Sequence, residues 1–426
     1  MSDKRLYFLD WIRILAFMLL IFYHTGMYYV TWGWHVKSPH ASDAIEPLMM
    51  LSSPWRLSLL FMISGVASAF MLTRTRAGVF LRQRSWRLLV PLVFGMLVIV
   101  PPQSYFQVVE NLSYQGSYAD FLRLYFSGYH GFCKNGECLL LPTWNHLWFV
   151  AYLWSYTLLL AALSALAGQQ RLRRWGDALG RLLSGWKIIA LPVAYLTLSR
   201  IALADAFPNT HALWGDWYAH AVYFFMFLLG ALLSQQAAFW EQLDQQRWAA
   251  LGWSLFAWAF VMIYNAMPEA VAAQNNLQAW RPLARMIYCV AQWAPIVAAC
   301  GFGHRHLSFD SARRRYLTEA VFPVYILHQT LIVAMAHWLK PVQLSPLVEG
   351  AVLLILTFTL SFAGYAVVRR VGLLRPLFGL GRLTSQSSAN APQAPAVAAS
   401  VFPPPSQPAH PGSMATADGR SGHPAG

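Results

Sequence analysis

Apolar stretches of about twenty residues recur along the chain between short polar connections, the spacing that a hydrocarbon core about 30 Å thick demands of spanning helices. Ten are readable: residues 11–31, 53–73, 86–102, 143–167, 187–204, 217–235, 248–266, 283–301, 317–339 and 347–368. They predict an all-α polytopic membrane protein with about ten transmembrane helices. After residue 382 the pattern stops and Ala, Pro, Ser, Gln and Gly take over. Such a segment buries too little apolar surface to offset its ordering entropy. The expected organisation is one membrane domain over residues 1–382 and a disordered, non-catalytic cytoplasmic tail over 383–426.

Composition agrees with a bilayer environment. The 426 residues are 57% hydrophobic and only 11% charged, against about a quarter charged in soluble proteins. A formal charge of +14 would suggest nucleic acid in a soluble domain, but nothing resembles a nucleic-acid module, and here the cations sort by membrane side. With the N-terminus inside, 21 Lys and Arg fall in cytoplasmic segments and 7 in outer connections, which places both termini in the cytoplasm. Arg13 and Arg200 are the two cations left to span interiors. The first stretch lacks a small-residue cleavage site and reads as an uncleaved span.

Cys289 and Cys300 lie in an apolar span, whereas Cys133 and Cys138 flank a short polar loop. The second pair is expected to form a disulfide if it faces an oxidising compartment. The spacing of His130 and His146 around it fits no zinc module, so no metal site is expected. The 103–142 connection, rich in Tyr, Phe, Ser and Gly, shows no clear element of its own and is expected to cover the outer mouth of the bundle.

The candidate chemistry begins in the first span. Eleven residues separate Arg13 from His24, which puts both on nearly one helix face about 16 Å apart. Ionisable groups at such depth normally face a bundle interior or a water path. Asp10 sits at the Arg13 end of that face, placed to orient its guanidinium. Arg84 and Arg87, three apart, form a fork suited to phosphate oxygens at the same membrane face. The Arg313–Arg315 run, by contrast, reads as an ordinary positive-inside cluster. Arg56, Ser64-Gly65, His146 with Trp148, Tyr325 and His328 add polar groups to apolar surroundings, and together suggest a cavity opening outward. Cations inside, an imidazole deeper and an aromatic mouth outside suit a donor and an acceptor arriving from opposite faces.

These residues resemble a known family, the acyltransferase 3 membrane acyltransferases, over roughly residues 5–380. The matching pieces are Tyr7-Phe-Leu-Asp10-Trp-Ile-Arg13 with His24, Leu60-Phe-Met-Ile-Ser64-Gly65, Arg84-x-x-Arg87, His146-Leu-Trp148-Phe149 and Phe322-Pro-Val-Tyr325-Ile-Leu-His328-Gln329. Trp34-His35-Val36, Arg56 and the stretch Gly303-His-Arg305 to Arg313 are similar to a branch that succinylates periplasmic glucans. The resemblance implies an O-acyltransferase of the bacterial inner membrane. Its donor would be cytoplasmic acyl-coenzyme A, acetyl or succinyl, used as co-substrate without a resident cofactor, and its acceptor a cell-envelope glycan hydroxyl. His24 would be the general base, with Asp10 also in the catalytic set. Arg13, Arg84 and Arg87 would hold the coenzyme phosphates, and Arg56, His146, Trp148, Tyr325 and His328 would serve the acceptor side. Ser64 is the candidate oxyanion donor. Two other readings compete: a transporter of an anionic solute, which would move substrate without consuming acyl-coenzyme A, and a non-catalytic envelope assembly partner, which would tolerate His24→Ala.

Overall fold

The computed structural model describes residues 6–134, 136–267 and 277–381. The tail expected from residue 383 lies outside the described residues. Every one of the ten apolar stretches is helical. In chain order the elements are α1 (Tyr7–Tyr29), α2 (Glu46–Met50), α3 (Arg56–Arg74), α4 (Ala77–Phe94), α5 (Pro101–Leu112), α6 (Tyr118–Phe126), α7 (Trp148–Ala167), α8 (Gln169–Leu182), α9 (Lys187–Leu203), α10 (Trp217–Leu233), α11 (Ala237–Asn265), α12 (Arg281–His306), α13 (Ala312–Leu339), α14 (Pro346–Arg370) and the short α15 (Leu374–Leu377). Among the described residues, eight helical segments are long and apolar enough to cross a bilayer, while α9 and α10 have 17 residues each. The chain is therefore a multi-pass, all-α membrane protein.

Two departures from expectation concern connections. The third span does not end near residue 102: a π-helical turn at Gly95–Ile99 carries α4 into α5, so one helical run covers Ala77–Leu112. Pro101 and Pro102 look like a stop, yet at the first turn of a helix the missing N–H costs nothing. The 103–142 connection is correspondingly ordered. It holds α5, α6 and a two-stranded antiparallel hairpin of Cys133–Lys134 with Glu137–Cys138. Ser117 caps α6 by accepting from the Asp120 amide at 3.2 Å. A disulfide joins Cys133 to Cys138, as expected. Helix α8 is amphipathic and meets α9 at 108°.

Helices in hydrocarbon gain little from apolar burial against one another and depend on close packing. Gly65 of α3 and Gly230 of α10 show this reciprocally. A Cβ at Gly65 would stand 1.9 Å from the Phe227 carbonyl oxygen, and one at Gly230 would stand 2.0 Å from that of Met62. The two backbones are thus in contact, and the core formed by α1, α3, α7, α10, α12 and α13 closes around them. Lys37 fixes the far end of α1 by donating to the Met27 and Val30 carbonyls at 2.7 and 2.5 Å, a basic cap on the negative end of the helix dipole. Tyr28 and Tyr29 donate to the buried Glu349 at 3.3 and 3.0 Å and dock α14 on α1.

Candidate active site

On α1, Arg13 and His24 belong to two separate polar centres. At the His24 end is a cavity of about 580 Å³ lined by His24, Arg56, His146, Trp148 and Tyr325, among others. These come from α1, α3, the 3₁₀ turn Asn145–Leu147, α7 and α13, so five candidates spread over some 300 residues converge on one space. His328 stands directly behind His24.

The two histidines are hydrogen-bonded to each other. His24 Nδ1 lies 2.8 Å from His328 Nε2, with ring planes within 6° and centroids 5.0 Å apart, the geometry of imidazoles joined edge to edge. His328 Nδ1 lies 2.6 Å from the Tyr325 carbonyl oxygen. A carbonyl only accepts, so His328 Nδ1 carries the proton and, in the neutral ring, its Nε2 has a lone pair. That lone pair accepts from His24 Nδ1–H. His24 Nε2 is then left with a lone pair, the tautomer a general base needs.

His146, Tyr325 and Trp148 frame this pair. His146 Nε2 donates to the Ile326 carbonyl at 3.2 Å, and the Tyr325 hydroxyl donates back to the His146 carbonyl. Both side chains thus have a role in locking the 3₁₀ turn onto α13 as well as facing the cavity. Trp148 stacks on His211 with centroids 4.3 Å apart. Arg56, 2% exposed, donates to Ser52 Oγ at 3.2 Å and lies 3.8 Å over the Tyr23 ring. A cation at the first turn of a helix opposes the dipole, and among the described residues no carboxylate pairs with it.

An amide network that sequence reasoning missed supports the wall. Gln103 Oε1 accepts from Asn145 Nδ2 and Gln329 Nε2, each at 3.1 Å, and Gln103 Nε2 donates to Thr330 Oγ1 at 2.6 Å. Gln329 also donates to His35 Nε2 at 2.9 Å, and His35 Nδ1–H is satisfied by Gln107 Oε1 at 2.7 Å. Gln329 closes a quoted motif beside His328, and Asn145 immediately precedes the motif that opens at His146, a signal that was available. Asn145 has φ +40°, a conformation Asn tolerates better than most residues.

The other centre gathers the arginines. Arg84 is buried and donates to Ser68 Oγ at 3.2 Å, within electrostatic reach of Arg13 and Arg87. Arg87 Nε donates to the Gly379 carbonyl at 3.0 Å. Asp10 pairs with Arg13 at 3.5 Å, as expected, but also with Arg314. Fourteen residues of helix, about 21 Å, separate Asp10 from His24, so the expected catalytic candidate Asp10 does not reach the imidazole, whose hydrogen-bond partner is His328. Arg314 corrects the reading of its run as a simple surface cluster. It is 1% exposed, bonds Asp310 at 2.8 Å and lies 4.8 Å over the Tyr7 ring. Ser64 is not among the residues that line the His24 cavity, and its carbonyl accepts from Ser68 Oγ at 2.7 Å.

The model of a family described as an acyltransferase domain matches residues 6–366. The chain belongs to the acyltransferase 3 family. It is an acyltransferase, and the two centres are features of that enzyme. Similar proteins include the glucans biosynthesis protein C of Escherichia coli O1:K1 / APEC, 22% identical over 399 residues, with 91% of this chain and 98% of that protein covered. The protein of the same name from Salmonella typhi is 23% identical over 390 residues, covering 88% of this acyltransferase and 94% of that protein. No solved structure matches.

Proposed function

We propose that this acyltransferase moves an acetyl or succinyl group from cytoplasmic acyl-coenzyme A to a hydroxyl of a cell-envelope glycan, working in the bacterial inner membrane with both termini cytoplasmic. The observation that carries the reading is the relay from the Tyr325 carbonyl through His328 to His24, which lines the cavity and whose Nε2 this relay leaves with a lone pair. His24 Nε2 takes the proton of the glycan hydroxyl as its oxygen attacks the thioester carbonyl. The tetrahedral intermediate collapses with loss of the carbon–sulfur bond, and His24 returns the proton to the departing thiolate. General-base assistance of this kind supplies about 10²- to 10⁴-fold.

Arg56 supports the same step. Its buried guanidinium, free of any carboxylate among the described residues, lines the same cavity as His24 and is the cation we assign to the oxyanion, in the low-dielectric setting where such a charge acts most strongly. Arg13, Arg84 and Arg87 hold the coenzyme phosphates at the other centre. The extended pantetheine arm bridges the helix-length gap to His24. Asp10 and Arg314 fix the position of Arg13.

The test is product analysis. Vesicles holding the purified protein, given acetyl- or succinyl-coenzyme A outside and glucan acceptors inside, should yield ester-linked acyl glycan detectable by mass spectrometry, and a His24→Ala protein should yield none. Donor uptake without ester formation would point to transport and defeat the reading.

A further inference from the structure

Arg200 is the second cation inside a predicted span, and the mechanism does not use it. It lies in the last turn of α9, with Nη1 donating to the Tyr218 hydroxyl at 2.9 Å and the guanidinium carbon 4.0 Å from the Tyr288 ring centroid. Its Nε is buried and has no hydrogen-bond partner. Arg200 lines both the His24 cavity and a second cavity of about 660 Å³, so it stands where the two meet.

The charges along this route are one-sided. Among the described residues, the His24 cavity is lined by Arg56 and Arg200 and by no carboxylate. The second cavity adds Arg281, Arg285 and a single acid, Asp205. That acid is already held by Arg285 at 2.5 and 2.6 Å and by Arg281 at 3.3 Å. Among the described residues, four guanidiniums therefore line the two cavities against one committed carboxylate. Arg281 and Arg285 are spoken for by Asp205 at the exposed approach, whereas Arg56 and Arg200 have no carboxylate partner among the described residues; cations kept inside a helical bundle in that way are costly, and their ordinary justification is a ligand that supplies the charge. The planar guanidinium fork suits a carboxylate, which it can meet with two parallel N–H bonds, and the aromatic rings of Tyr218 and Tyr288 hold the fork in place.

We propose that Arg200, with Arg281 and Arg285 at its approach, is a carboxylate-binding subsite joined to the catalytic cavity. Resting on the acyltransferase reading, it gives that site its substrate class: one of the two reacting molecules carries a free carboxylate. The carboxylate belongs either to the far end of a dicarboxylic acyl group or to an acidic substituent on the acceptor glycan.

Binding and turnover test this separately. In detergent, succinate should raise the melting temperature of the wild-type protein above the effect of equimolar propionamide and sodium chloride, and Arg200→Gln should lose that shift; this arm needs no catalysis. In turnover, Arg200→Gln should lower the ratio of kcat/KM for succinyl- over acetyl-coenzyme A by tenfold or more if the carboxylate is on the donor. If it is on the acceptor, the ratio for a carboxylated over a neutral glucan should fall instead. Arg200→Lys, which keeps the charge without the fork, should retain part of the shift and serves if the Gln variant does not fold. An absent succinate shift in wild type, or a folded Arg200→Gln protein with the wild-type shift and both wild-type ratios, overturns the subsite while leaving acyl transfer standing. Failure of all turnover with the succinate shift intact overturns the catalytic reading and leaves the subsite.

Discussion

His24 and His328, 304 positions apart in the chain, share a hydrogen bond of 2.8 Å that fixes which nitrogen of His24 is free. The proton on His328 Nδ1 is held by the Tyr325 carbonyl at 2.6 Å, so the direction of the whole relay is set by a backbone group of α13. A base whose tautomer is fixed in this way loses activity when its partner is removed, even though the base itself remains. His328→Ala should lower kcat by about 10- to 100-fold with little change in KM for the donor, by analogy with the loss of orienting partners elsewhere. Steady-state kinetics with a saturating acceptor checks it; a fall confined to KM would place His328 in binding instead.

Arg314 and Arg313 are neighbours with opposite surroundings, buried and exposed. Arg314→Met leaves Asp10 and Asp310 without their shared partner and should cost about 3 kcal/mol or more, as broken buried ion pairs do. Arg313→Met should stay within about 0.5 kcal/mol, as surface changes do. Thermal unfolding in one detergent reads both. Equal effects would mean that the Asp10–Arg314–Asp310 network does not hold α1 to α13.

The glycine contact between α3 and α10 gives a stability prediction free of chemistry. Gly65→Ala drives a methyl group against the Phe227 carbonyl and should destabilise by about 1–3 kcal/mol, as overpacking does. Gly252→Ala, where nothing lies within 4 Å, should be neutral or slightly stabilising because Ala is the better helix former. A Gly65→Ala protein that melts with the wild type would contradict the backbone contact.

His35 predicts the sign of an acid effect. It lies in the connection after α1, and burial holds its imidazole below the ordinary value of 6.5, against a smaller opposing effect of the Gln107 hydrogen bond. The folded protein therefore binds this proton less readily than the unfolded chain. Its stabilising contribution is complete above pH 6.5 and is lost as the pH falls below that value. Melting temperature should drop between pH 7.5 and 5.5, and the drop should be smaller in His35→Gln. An identical drop in the variant would remove His35 from the cause.

The one-dimensional parts of this design were legible in the sequence. The positions of the ten helices and the Arg13–His24 spacing follow from apolar length and helix periodicity alone. Single residues of a motif, such as His146 and Tyr325, could be named as polar groups in apolar surroundings, though not what they touch. Three kinds of information were not legible. The His24–His328 bond is a tertiary contact whose geometry decides the tautomer. Arg314 looks like its neighbours because a run of three arginines does not say which face of α13 is buried. Helices α5 and α6, 12 and 9 residues long, are too short for a clear periodic signal, and Pro101-Pro102 disguised the start of the first. Arg200 was visible as a span cation, but its cavity neighbours come from α10 and α12.

The most direct measurement is acceptor-dependent release of free coenzyme A by purified wild-type, His24→Ala and Arg84→Ala/Arg87→Ala proteins, each shown to be folded by its melting temperature. If His24 is the base and the arginines hold the donor, His24→Ala abolishes release, whereas the double arginine variant retains turnover at saturation with KM for the donor raised about tenfold or more, a loss of at least ~1.4 kcal/mol of donor binding. Release by folded His24→Ala at the wild-type rate would contradict the central role of that imidazole.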